Sequence, residues 1–173
     1  RFAASGTSDV DARWSLGLAT DRVIVGDPAA QQVRLFSPQG TSDVSVETDG
    51  TLVQSEETAD ALGAAIAVVS STDGDGEDAL LLGAPGSRSS SSSRSDGAVL
   101  LIDGLASIPG GDARSLARLT VQGSSTGSRL GSRVAACRDM DGDGRGEWAA
   151  AAPQDSSGEK LAGSVILVLS SEE

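Results

Sequence analysis

The chain has 173 residues, the length of one ordinary domain, and its 13 Lys and Arg stand against 25 Asp and Glu for a formal net charge of −12. That balance argues against nucleic acid or an anionic membrane surface as partner, since each requires a basic footprint, and makes cations the natural counterpart. With no His and one cysteine, Cys137, the sequence has no Ser-His-Asp or Cys-His nucleophile system, no His-ligated metal, no intrachain disulfide and no multi-cysteine zinc site.

The bulky apolar residues are few: Val, Leu, Ile and Phe together number 38, about 22% of the chain and barely above the level at which charge-rich chains stay disordered. The core is therefore expected to consist mainly of Val, Leu, Ile and Ala. No run approaches the ~20 apolar residues of a membrane span, and no charged-then-apolar segment opens the chain. The first residue, Arg1, reads as the start of a processed chain or an excised piece of a longer one. One Lys, Lys160, against 12 Arg points to a GC-rich, bacterial coding sequence.

Short apolar, β-branched runs bounded by Gly, Asp and Pro read as strands. In chain order they fall at 16–20, 22–26 and 32–36, then 64–70, 79–83 and 98–103, then 132–138, 147–151 and 163–169. A more polar strand fits before each group, near 1–5, 50–55 and 116–122, while 56–65 and 111–119 have room for a helical turn. Long helical periodicity is absent, so the class is all-β. The run Ser87-Arg-Ser-Ser-Ser-Ser-Ser-Arg-Ser95 is low complexity and reads as a mobile surface loop that Arg88 and Arg94 keep soluble.

The three groups of strands are copies of one unit. Leu62-Gly-Ala-Ala-Ile-Ala67 superposes on Leu130-Gly-Ser-Arg-Val-Ala135 without gaps, and both run into an acidic loop, Thr72-Asp-Gly-Asp-Gly76 and Met140-Asp-Gly-Asp-Gly144. Pro85 and Pro153 each lie 23 residues after the opening Leu, and Gly97-Ala-Val-Leu-Leu-Ile102 matches Gly163-Ser-Val-Ile-Leu-Val168. A weaker first copy shares the landmarks: Trp14-Ser-Leu-Gly-Leu-Ala19, Val23-Ile-Val-Gly-Asp-Pro28 and Gln31-Gln-Val-Arg-Leu-Phe36, with the acidic loop deleted. The periods of 48 and 68 residues are long for helical solenoids and close to four-stranded propeller blades with loop insertions.

The last acidic loop, Asp139-Met-Asp141-Gly-Asp143-Gly-Arg145-Gly-Glu147, puts carboxylates at positions 1, 3, 5 and 9. Ca²⁺ takes six to eight hard oxygens at about 2.3–2.6 Å, and alternating acidic residues on a tightly turning loop direct several of them inward. The carbonyl of Arg145 is the expected backbone ligand, and Glu147 closes the site. The plainer reading is a solvated acidic turn that binds nothing. An EF-hand is excluded because position 12 is Ala150 and the flanks are strands. In the middle copy the same positions hold Ser71, Asp73, Asp75, Glu77 and Ala79, so the closing carboxylate is missing unless Asp78 supplies it by a one-residue shift. That loop is read either as a weaker calcium site or as a plain turn.

Leu-Gly-x-x-Val-Ala, Asp-x-Asp-Gly-Asp-Gly, Gly83-Ala-Pro85 (Ala151-Ala-Pro153 in the last copy) and Gly-x-Val together resemble the FG-GAP repeat of integrin α-subunit β-propellers. Leu or Trp replaces the family's Phe, and Ser15 replaces its Gly. The resemblance implies three four-stranded antiparallel blades, approximately 1–49, 50–111 and 112–173, in a single propeller region. It implies Ca²⁺ ligation by Asp139, Asp141, Asp143, the Arg145 carbonyl and Glu147. The family propeller usually has seven blades. Three blades therefore make either a piece of a longer propeller, the preferred reading, whose open sides would expose apolar blade faces and drive association, or one part of a ring of chains, for instance two chains giving six blades. The function implied is a non-catalytic, calcium-binding module for adhesion or for a protein or carbohydrate ligand at an extracellular or cell-surface location. The alternative is the accessory propeller of a secreted hydrolase whose catalytic domain lies elsewhere.

The remaining candidates have structural readings. Cys137, in Val134-Ala-Ala-Cys137, is expected to be a small buried core residue, with no Lys or His near it in sequence to hold a thiolate. Trp14 and Trp148 fall where other copies carry Leu and are expected to pack the core. An enzyme reading would have to use Asp141 and Asp143 as paired carboxylates or as holders of an activated water. Both are better explained as calcium ligands.

Overall fold

The computed structural model describes residues 14–19, 21–37, 49–57, 59–72, 74, 76–89 and 93–170, and its regular secondary structure is almost all strand. A first sheet forms from β1 (Ser15–Leu18), β2 (Val23–Asp27), β3 (Gln32–Phe36) and β4 (Thr51–Gln54). A second begins with β5 (Ala65–Ser70), β6 (Asp78–Ala84) and β7 (Ala98–Ile102). The chain then returns to the first sheet as β8 (Gly111–Asp112), runs through a single helical turn α1 (Ala113–Leu116), and closes the second sheet with β9 (Leu119–Gln122). A third sheet holds β10 (Arg133–Ala136), β11 (Trp148–Ala152) and β12 (Ser164–Val168). All neighbours pair antiparallel except β4 and β8, and none of the sheets closes on itself.

Strands form at each of the nine positions expected from the repeats. The polar strands are placed differently. β4 pairs with β3 through Val33↔Val53, and β9 pairs with β7 through Val99↔Val121, so each completes the sheet that precedes it in the chain. The outer edges of β3 and β7 are the free ones, because β2 and β6 already occupy their inner edges. Apart from β8, which crosses back to the first sheet, the sheets span 15–54, 65–122 and 133–168, displaced from the 1–49, 50–111 and 112–173 division. The third has three strands among the described residues, and the strand expected near 1–5 lies outside them. Of the two helical turns allowed for, only α1 forms. In the other segment Ala59 and Ala61 adopt φ of 68° and 53°, a left-handed backbone that no right-handed turn accommodates.

The sheets stack in chain order, with β5 lying between β1 and β10. One core fills the space between the first and second sheets, where Ile24, Val33, Leu35 and Val53 meet Leu80, Leu82, Leu100 and Ile102. A second core lies between the second and third sheets, where Val69, Leu81, Val99 and Leu101 meet Leu130, Trp148 and Ala150. Successive residues of a strand face opposite sides, so Leu81 and Leu82 enter different cores. This explains why β6 from Ala79 onward and all of β7 are continuously buried while β12 alternates between half-buried and exposed. Each fully buried Leu contributes about 1.5–3 kcal/mol, which is how a chain with so few large apolar residues holds three sheets together.

Trp148 is buried as expected, but Trp14 is 39% exposed. Among the described residues no sheet packs on the outer side of β1 to cover Trp14, whereas its counterparts Leu62 and Leu130 are covered by the preceding sheet. Cys137 is half-buried and lies just past β10, outside the core. The serine-rich segment is anchored at its start. Ser87 is fully buried and its hydroxyl accepts a hydrogen bond from Arg114 Nη2, while Arg88 and Arg94 are exposed.

Hairpin loops of successive strands alternate between the two ends of each sheet, so the acidic loops share one end and the proline loops the other. At the proline end the buried Asp155 binds Ser125 and Ser157. Hydrogen bonds from Ser125, then Ser164 and Ser157, hold its carboxyl well below the ordinary value of 3.8. A lowered folded value means that the stabilisation is complete above the ordinary carboxylate value and falls away between it and the lowered one. Asp155→Asn is therefore expected to melt at a lower temperature than wild type at pH 7, with the gap narrowing under acid. A gap that stays constant with pH would show that the charge plays no part.

Candidate metal centre

The loop from β10 to β11 carries Asp139, Asp141, Asp143 and Glu147, and one carboxylate oxygen from each lies within 4.8 Å of those of the others. The local sequence explains the convergence. Gly142 and Gly144, both at φ 87°, alternate with the aspartates. A left-handed residue at every second position coils the chain so that the intervening carboxylates turn toward one centre. Asp139 anchors the coil: Oδ1 accepts from the Gly142 N–H at 2.6 Å and Oδ2 from the Gly144 N–H at 2.9 Å. Asp141 Oδ1 accepts from the Asp143 N–H at 3.2 Å, and Asp143 Oδ1 from the Arg145 N–H at 2.9 Å. An ionised carboxylate oxygen has a second lone pair, so these bonds orient the groups without exhausting them.

Glu147 differs from the other three. It immediately precedes β11, is fully buried, and its Oε2 accepts from the Met140 N–H at 2.5 Å. Its Oε1 is buried with no hydrogen-bond partner. An unpaired buried carboxylate oxygen costs more than any neutral polar atom left in the same state. A cation seated among the four carboxylates would satisfy it and would offset their mutual repulsion. The donor set is all-oxygen, the kind of ligand that hard divalent cations such as Ca²⁺ and Mg²⁺ take.

The neighbouring residues hold the loop in place. The Gly146 N–H donates to the Ser70 carbonyl at the end of β5, and Ser170 Oγ donates to the Gly146 carbonyl. From the sequence Arg145 is expected to contribute only its carbonyl. Its side chain lies beside Gly74 of the adjacent acidic loop and within 4.0 Å of Asp143 Oδ2, so it places a positive charge between the two loops.

In the middle loop Asp73 and Asp75 lie outside the described residues. Ser71 Oγ accepts from the Gly76 N–H at 3.0 Å, the same bond that Gly144 makes to Asp139, so a hydroxyl stands in for the first carboxylate of the coil. Ala79 is buried at the position of Glu147. Asp78 pairs with Ser70 one residue earlier on β6, and strand alternation turns it to the opposite face from Ala79. It therefore does not take the place of Glu147. Glu77 is exposed, with its carboxylate beside Gly104.

The proline end carries a cleft of about 770 Å³ in which Pro28, Pro85 and Pro153 come together with Trp14, Arg129 and Arg133. The three prolines mark the same position in each copy, so the repeat itself assembles this surface. No helix among the described residues is long and apolar enough to cross a membrane. No protein-family model matches the chain, and no curated protein matches its sequence.

Proposed function

We propose that this chain is a non-catalytic calcium-binding β-propeller module of the FG-GAP type, with its three sheets serving as blades, that acts outside the cell in adhesion to a protein or carbohydrate ligand. The observation that carries the reading is the convergence of Asp139, Asp141, Asp143 and Glu147 around a buried Glu147 Oε1 that has no other partner. The blade reading is supported by the order of the stack, in which the first strand of each copy lies beside that of the next. A structural calcium site fits a chain with a −12 charge and a thin core, because binding adds stability where the apolar contribution is small. Millimolar calcium outside the cell keeps such a site filled.

Titration calorimetry tests the calcium reading. The wild-type chain is expected to bind one Ca²⁺ strongly, with Mg²⁺ binding far more weakly, and Glu147→Gln is expected to lose the strong site. Ca²⁺ binding that survives in Glu147→Gln with unchanged affinity would overturn the assignment.

A further inference from the structure

We propose that the proline end of the molecule binds an acidic polysaccharide through its hexuronate carboxylates. This names a ligand class for the adhesion reading and rests on that reading. The 770 Å³ cleft is lined by Arg129 and Arg133. A second cleft of about 490 Å³ shares Arg129 and Gln154 with it and adds Arg94 and Lys160. Four of the 13 cationic side chains therefore meet at this end, and no Asp or Glu among the described residues lines either cleft, in a chain that has 25 of them. The acids beside these residues in sequence lie outside the clefts: Asp96 and Asp155 are buried on serine hydroxyls, and Glu159 is exposed. Arg22, Arg114, Arg118 and Arg145 each lie against an Asp, whereas Arg129, Arg133 and Lys160 form no ion pair among the described residues.

Arg129 sits at φ 59°, and its counterpart Ala61 holds the same left-handed backbone at 53°, so the conformation does not call for an arginine and the side chain serves the cleft. Guanidinium groups take carboxylates through paired hydrogen bonds. Two basins joined at Arg129 suit a ligand that repeats its anion along a chain rather than a single small ion. The other polar lining groups, Ser95, Thr126, Gln154 and Ser156, both donate and accept hydrogen bonds, as sugar hydroxyls do. Trp14 in the larger cleft is 39% exposed and offers an aromatic surface to the apolar C–H face of a pyranose ring. Residues 1–13, which precede β1, carry two Asp and two Arg and so bring no net charge to complement these cations. The overall charge of −12 repels polyanions at long range, which confines contact to the short segment seated on the clefts.

Of the two tryptophans Trp148 is fully buried, so Trp14 reports on the cleft. The experiment is a titration of tryptophan emission with oligogalacturonate at physiological salt, run with chelator and again with saturating calcium. Emission is expected to shift saturably in both conditions, and to stay unchanged with the methyl ester of the same glycan and with polyglutamate. Arg129→Ala, at a position where Ala61 shows that alanine is accommodated, is expected to bind about tenfold more weakly, the effect of one lost charge-assisted hydrogen bond. Lys160→Gln is expected to weaken binding as well, and Arg138→Gln, at the acidic-loop end, to bind as wild type does. No shift with oligogalacturonate, an equal shift with the methyl ester, or free galacturonate binding as tightly as the oligomer would overturn the proposal. A shift seen only with calcium would show bridging of the glycan by the metal and would also overturn it. Saturation by polyglutamate instead would make the partner an acidic peptide, which overturns the ligand class and leaves the adhesion reading standing.

Discussion

Saturating calcium is expected to raise the melting temperature of the wild-type chain by about 5–10 °C. Free Ca²⁺ at 100 times the dissociation constant adds about 2.7 kcal/mol to the folded state, and a domain of this size gains about 2–4 °C per kcal/mol. In Asp143→Ala and Glu147→Gln the shift is expected to vanish, since the first removes a carboxylate from the converging set and the second neutralises the buried one. Without calcium, Glu147→Gln is expected to be at least as stable as wild type, because it removes a charge that is buried with one oxygen unpaired. Asp75→Ala should retain most of the calcium shift, as its loop has Ala79 where Glu147 stands in the other. Equal shifts in wild type and Glu147→Gln would place calcium elsewhere, and a larger loss in Asp75→Ala would make the middle loop the main site.

Gly83→Ala is expected to be among the most damaging single-methyl additions. A Cβ on Gly83 would lie 2.1 Å from the Gly131 carbonyl oxygen, so the second and third sheets would have to separate. The opposing atom belongs to backbone rather than to a movable side chain. Overpacking of this kind costs about 1–3 kcal/mol, or roughly 2–12 °C in melting temperature for a domain of this size. Gly26 makes the same close approach to the Gly63 carbonyl oxygen, at 2.4 Å. The third copy already carries Ala151 at this position, and there Ala151→Gly is expected to cost only about 0.5–1 kcal/mol through added backbone freedom. Thermal melting of the two variants side by side checks the contrast. A Gly83→Ala protein as stable as wild type would mean that the sheets do not meet through these glycines.

The sequence by itself determined the strands, their grouping into three copies and the residues of the acidic loop. Those signals are local. Apolar runs bounded by Gly, Asp and Pro set each strand, and the Asp-Gly alternation from Asp139 to Gly144 coils its loop through backbone geometry alone. Only the tertiary structure decided which sheet each polar strand joins, because Val53 and Val121 bring similar edges and the choice depends on which neighbouring strand has a vacant one. It also decided the fate of equivalent residues. Trp14 and Leu62 occupy the same repeat position, yet one is exposed and the other buried, since the first sheet lies alongside Leu62 and no sheet among the described residues lies alongside Trp14. The same holds for the metal centre. Four spaced carboxylates were legible in the sequence, but the unpaired oxygen of Glu147 and the Arg145 side chain between the loops are consequences of packing against the second sheet, which no one-dimensional pattern records.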